Sequence, residues 1–177
     1  MENKIRNSAG FLIVRLEAAI AGFNKNKDEI KLLHTAEANL PEKLANIIAA
    51  QNSYLQGRVI LGRKRQEFRA AEKRACNFVG LMRDVLKPLL GARYNTKWVT
   101  TGLIGSLAKP RTAADLIPLF VSLKAHFTTN PTHQVHALKV TAHEAEVIHD
   151  ELVAARNAVN SQRGDLDALQ QLRDAAT

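Results

Sequence analysis

Apolar residues recur at every seventh position from Ile47 through Tyr54, Leu61, Phe68, Ala75 and Met82 to Leu89. Such a run predicts a helix pressed along a partner helix. The companion seam position reads Leu44, Gln51, Arg58, Arg65, Glu72, Val79, Leu86, apolar at both ends and polar in the middle. The seam is therefore expected to be broad at its ends and thin between. Gly57 and Gly62 weaken the middle, each by about 1 kcal/mol relative to Ala. The phase nevertheless holds across them, which predicts one long helix over 39–90, roughly 75 Å in length. Its start is marked by Asn39 as a cap, Pro41 in the first turn and Glu42 at the capping-box position.

Upstream, Ala9, Leu12, Leu16, Ala19, Phe23, Ile30 and Leu33 keep a similar spacing. Residues 1–38 are thus one helix or two joined near Lys25, where Asn26 to Glu29 offers a second capping signal. Downstream, Thr141 and Glu144 form the capping-box pattern ahead of Ala145, Ile148, Leu152, Ala155, Val159, Leu166 and Leu169. That pattern predicts a C-terminal helix over 141–175, interrupted in phase at Gln162.

Between the long helices the composition changes. Gly91 to Phe120 holds the sole Trp, one of two Tyr, three of nine Gly and two of five Pro. Gly91 suits a helix C-cap. Asn95 caps a short helix carrying Trp98, Leu103 and Ile104 and ending near Pro110. Thr112 with Asp115 opens another helix through Leu116, Leu119, Phe120, Leu123 and Phe127, with Pro118 near its start, and Thr128 to Thr132 closes it. Residues 91–131 read as a compact short-helix junction. Strand-forming runs are almost absent, and "WVTTGLI" contains a glycine and has no partner run. The expected fold is all-α: a single domain over 1–177, an elongated bundle of long antiparallel coiled-coil-like helices with the junction in mid-chain.

Composition narrows the function classes. Aromatics make up 5% of the chain, so the core must be mostly Leu, Ile, Val and Ala. A single cysteine, Cys76, excludes an intrachain disulfide and a multi-cysteine zinc site, and reads as a small apolar packing residue. The apolar run Ala9–Val14 is cut by Arg15 and Glu17, too soon for a signal-peptide core. No uncharged stretch reaches the roughly 18 residues of a membrane span. A soluble cytoplasmic protein without membrane insertion is expected.

The net charge of +8 is unevenly spread, with 12 Lys and Arg against 4 Asp and Glu over 41–100, and 3 against 7 over 141–177. "RKRQEFRAAEKR", Arg63 to Arg74, places Arg65, Arg69 and Lys73 at intervals of four, and Arg58 extends the stripe. Such a face suits a phosphate backbone, or else pairs with Glu144, Glu146, Asp150 and Glu151 of the last helix. Phe68 is the one aromatic residue among these cations and belongs to the seam, so base stacking has no support.

Five of six histidines, His126, His133, His136, His143 and His149, lie close in sequence, but their spacing builds no metal site. Glu146 and His149 have the Glu-x-x-His form of di-iron bundles, in a single copy where two are needed. Gly102 to Gly105 matches a nucleic-acid-clamping Gly-x-x-Gly without the accompanying strand. No P-loop, dinucleotide fingerprint or nucleophile elbow occurs. The sequence therefore points away from an enzyme, with no catalytic residue, metal or cofactor expected. The leading expectation is a helical scaffold or assembly module acting through protein contacts, self-association first, with Trp98, Leu103 and Ile104 as an exposed docking patch. Nonspecific nucleic-acid binding through Arg58, Arg65, Arg69 and Lys73 is the alternative.

Overall fold

A computed structural model describes residues 9–26 and 39–176. The protein is all-α, and the described residues form α1 (Ala9–Asn26), α2 (Asn39–Leu90), α3 (Ala113–Thr129) and α4 (Ala142–Ala176), with three short 3-10 helices among them. An isolated antiparallel bridge joins Val135 and Val140. Contacts divide the chain into two units, Met1–Gly62 with Gln162–Thr177, and Arg63–Ser161. Ile30, Leu33 and the expected cap over Asp28 and Glu29 lie outside the described residues.

In the first unit the N-terminal part of α2 meets the end of α4. A side chain at Gly57 would come within 2.9 Å of Leu169 Cδ1 and 3.2 Å of Leu166 Cδ1. Gly57 therefore lets α4 approach closely, and α2 runs unbroken through Gly57 and Gly62. Arg173 stacks its guanidinium 4.3 Å from the centre of the Tyr54 ring, a cation–π contact. On α1 the half-buried apolar residues are Leu12, Ile13, Leu16, Ile20 and Phe23. Ala19 is exposed and Ile20 takes its place, because a straight helix turns in 3.6 residues and not 3.5.

The second unit holds a dense core. Val79, Met82 and Leu86 from α2, Leu116, Phe120, Leu123 and Phe127 from α3, and Ala145 and Leu152 from α4 are fully enclosed. Phe78 packs on Phe120 with ring centres 5.4 Å apart. Here α2 and α4 run antiparallel, tied by Arg74, whose guanidinium donates to Glu144 Oε1 at 2.8 Å and to Glu151.

The caps explain where the chain turns. Gly91, at φ 107°, closes α2, its N–H donating to the Lys87 carbonyl at 2.9 Å. Asn95 Oδ1 accepts from Lys97 N at 2.9 Å and opens the 3-10 helix Thr96–Thr101. That helix stops at Gly102, in the left-handed region, well before Pro110, so Leu103 and Ile104 lie beyond it. Thr112 caps α3 and Asp115 returns the bond, accepting from the Thr112 hydroxyl at 2.6 Å. Pro118 lies inside α3 and does not delay its start. Thr141 caps α4 by accepting from Glu144 N at 3.1 Å. The expected return bond from Glu144 gives way to Arg74, since a charged donor outcompetes a backbone amide for the carboxylate.

Candidate interaction surfaces

The seam is only partly as the heptads place it. Ile47, Leu61, Ala75 and Met82 are buried, and Tyr54 and Phe68 are half-buried. Leu89 is 49% exposed, and Leu86 and Leu90 are buried instead. A strict seven-residue repeat drifts about 20° per heptad on a straight helix, roughly 120° over six heptads, which carries Leu89 off the core side. On the companion position Arg58 and Arg65 are exposed, Gln51 and Glu72 half-buried, and Val79 and Leu86 fully buried. The companion position is thus buried at its C-terminal end alone, Leu44 at the other end being half-buried.

The expected docking patch is not a patch. Trp98 is completely buried and Leu103 is 3% exposed; only Ile104 faces solvent, at 79%. The indole Nε1–H donates to the Gly91 carbonyl at 3.2 Å, so the sole Trp fastens the end of α2 to the junction. Its indole N–H has a partner, as a buried Trp requires. Gly102 likewise serves the fold. At φ 88° it caps the 3-10 helix, and a Cβ there would meet Ser122 Cβ at 2.7 Å.

The basic stripe is exposed throughout: Arg58 in the first unit, and Arg65, Arg69 and Lys73 in the second. None of these four makes an ion pair among the described residues. The acidic residues expected to neutralise them are engaged elsewhere. Glu144 and Glu151 hold Arg74, Lys124 holds Glu146, and Asp150 meets His149. Lys64 lies 2.8 Å from Glu67 and holds that carboxyl below its ordinary value.

Sequence spacing missed a histidine chain. His126, buried on the last turn of α3, has Nδ1 3.0 Å from Thr100 Oγ1 and Nε2 3.0 Å from His133 Nδ1. Burial first, and the neighbouring His133 second, press its protonation below the usual histidine range. The reversal at Asn130 and Pro131 brings the pair together across seven residues, which a continuous helix would hold roughly 10 Å apart. Among the described residues no three His, Cys, Asp or Glu side chains gather to hold a metal. Glu146 and His149 are each committed to a different neighbour. No described helix is long and apolar enough to cross a membrane. In comparison with known proteins, no family model, curated protein or solved structure matches the chain.

Proposed function

We propose that the protein is a non-enzymatic assembly module whose first unit completes its core against a second copy of the chain. The observation that carries this reading is the imbalance of cover between the two units. Among the described residues 22 apolar side chains are buried, and of these only Ala9, Ile47 and Leu61 belong to the first unit. In the same unit Val14, Leu55, Val59, Ile60 and Leu172 are exposed, Val59 at 74%. An open groove of about 550 Å³ lies between Leu12 and Leu16 of α1, Ile47 of α2 and Ala175 of α4.

A second copy is the occupant that the charges favour. The described residues of this unit carry six Lys and Arg against five Asp and Glu, so two such surfaces meet without strong repulsion. Symmetric self-association is also the common route by which a soluble chain covers such a surface.

Light scattering after gel filtration, over a range of concentrations, tests the reading. Wild-type protein is expected to exceed the 19.5 kDa of one chain. A Leu55→Glu/Val59→Glu variant is expected to return to single-chain mass with helicity unchanged, since both residues are exposed. A wild-type monomer at every concentration, or a variant of wild-type mass, overturns it.

A further inference from the structure

The loop between the first 3-10 helix and α3 lies along the same line of α2 that bears the basic stripe. Three contacts fix it there. Arg83 Nη1 donates to the Leu107 carbonyl at 3.1 Å, Cys76 Sγ to the Pro110 carbonyl at 3.3 Å, and Ala113 N to Glu72 Oε1 at 3.2 Å. The loop thus runs antiparallel to α2, from the level of Arg83 down to Glu72. Positions 65, 69, 72, 76, 80 and 83 follow one another at steps of three and four, along one helix face.

Two further cations join the stripe in this way. Lys109 lies over Gly80, where a Cβ would sit 3.4 Å from its Nζ. Arg111, between the anchored Pro110 and Ala113, falls beside the turn that holds Lys73 and Cys76. Both are exposed, and neither makes an ion pair among the described residues. Glu72, the carboxylate within the line, is occupied by the first amide of α3, and Asp115 by Thr112.

We propose that this line, formed by Arg65, Arg69, Lys73, Arg111 and Lys109 of the second unit, binds duplex nucleic acid along its phosphate backbone. Residues 63–161 hold 15 Lys and Arg against 8 Asp and Glu, so the field of the unit favours a polyanion. The cations are strung out and do not converge. Arg65 and Lys73 are separated by roughly 12 Å of helix rise, which suits a linear array of phosphates better than a small anion.

A lipid surface is disfavoured, because interfacial helices bury apolar side chains beside their cations. Here no large apolar residue between Arg65 and Gly80 is among the exposed ones. Single-strand binding is disfavoured for want of an exposed aromatic platform, Phe68 being half-buried. The loop cations are what a reading of α2 alone leaves out, and they place the proposed site within one unit, without Arg58.

The test is fluorescence anisotropy with a short labelled DNA duplex between about 50 and 200 mM salt. If all five cations meet phosphates, log K falls against log salt with a slope of roughly −4.5. Arg65→Glu/Arg69→Glu/Lys73→Glu should weaken binding at least tenfold at low salt and flatten that slope by about 3, one unit per lost contact. Lys109→Glu/Arg111→Glu should flatten it independently by about 2. Arg156→Glu, an exposed cation on α4, should change neither slope nor affinity by more than the single charge dictates. Circular dichroism checks that each variant keeps its helicity. Three results overturn the proposal: no binding at the low-salt end, equal loss in the Arg156 variant, or sedimentation with phosphatidylserine vesicles in preference to the duplex.

Discussion

Arg74 and Glu144, 70 residues apart in sequence, meet at 2.8 Å across α2 and α4, and Glu151 shares the same guanidinium. The side chains are 42% and 21% exposed, so water screens much of the attraction. A double-mutant cycle of Arg74→Ala and Glu144→Ala in urea melts should give a coupling of about 0–1 kcal/mol that shrinks with added salt. A coupling of several kcal/mol would show that the pair is desolvated in solution.

Trp98 offers a direct reading of the second unit, because it is the sole Trp and wholly buried. Its emission should be blue-shifted and poorly quenched by acrylamide, moving to the red on unfolding. Trp98→Ala should cost about 3–5 kcal/mol. Trp98→Phe should cost less, since it loses the bond to Gly91 and part of the volume while keeping an aromatic ring. A solvent-like emission maximum in the native protein would contradict the burial.

Two positive-φ glycines separate backbone strain from crowding. Gly105, at φ 75°, has nothing within 4 Å of a would-be Cβ, whereas Gly102, at φ 88°, has Ser122 and Leu119 against it. Gly105→Ala should therefore destabilise by about 1 kcal/mol, the strain alone. Gly102→Ala should cost clearly more, and its excess should shrink in a Ser122→Gly background. Equal melting temperatures for the two alanine variants would sink the distinction.

The buried histidine makes stability depend on pH in a defined direction. The folded protein holds His126 below its ordinary protonation range, so the unfolded chain binds more protons once pH drops below about 6.5. Stability contributed by the neutral imidazole is present above that value and is lost as pH falls toward the lowered folded value. His133 faces His126 and is the charged neighbour when protonated; Thr100 faces the other ring nitrogen. Between about pH 6.5 and 5 the carboxylates Glu67 and Asp84 do not interfere, as their lysine partners hold both below their ordinary values. The melting temperature should fall across that window in wild-type protein and fall less in His126→Gln. An unchanged slope in the variant would place the titrating group elsewhere.

Replacing Leu61 should cost far more than replacing Leu89, although both hold the same heptad position. Leu61 is 5% exposed and Leu89 49%. Leu61→Ala is expected to lose about 2–5 kcal/mol, and Leu89→Ala under about 1 kcal/mol, in matched urea melts.

The same pair shows what was legible in the sequence. Helix bounds were legible at three caps, where Gly91 ends α2 and Thr112 and Thr141 open α3 and α4, but not at the first 3-10 helix, which stops at Gly102 well before Pro110. The direction in which α2 faces was legible as far as Met82 and lost at the end of the run, where drift carries Leu89 outward and Leu86 and Leu90 are buried instead. Phe78, one turn from Ala75, is a core residue that the two heptad positions do not include. Trp98 was misjudged because burial depends on what packs around a residue, which local pattern does not contain. The stripe Arg65, Arg69, Lys73 was plain from its spacing, while Lys109 and Arg111 join it only through tertiary contacts of the loop.

The uneven spread of charge has a practical consequence. Residues 63–161 account for nearly all of the net +8, while the first unit's described residues are almost balanced. Contacts to a polyanion weaken steeply with ionic strength, whereas apolar contacts between copies do not. Ionic strength therefore acts as a dial between the two proposed behaviours. Low salt is the condition for seeing capture of nucleic acid, and high salt the condition for seeing the chain associate with itself.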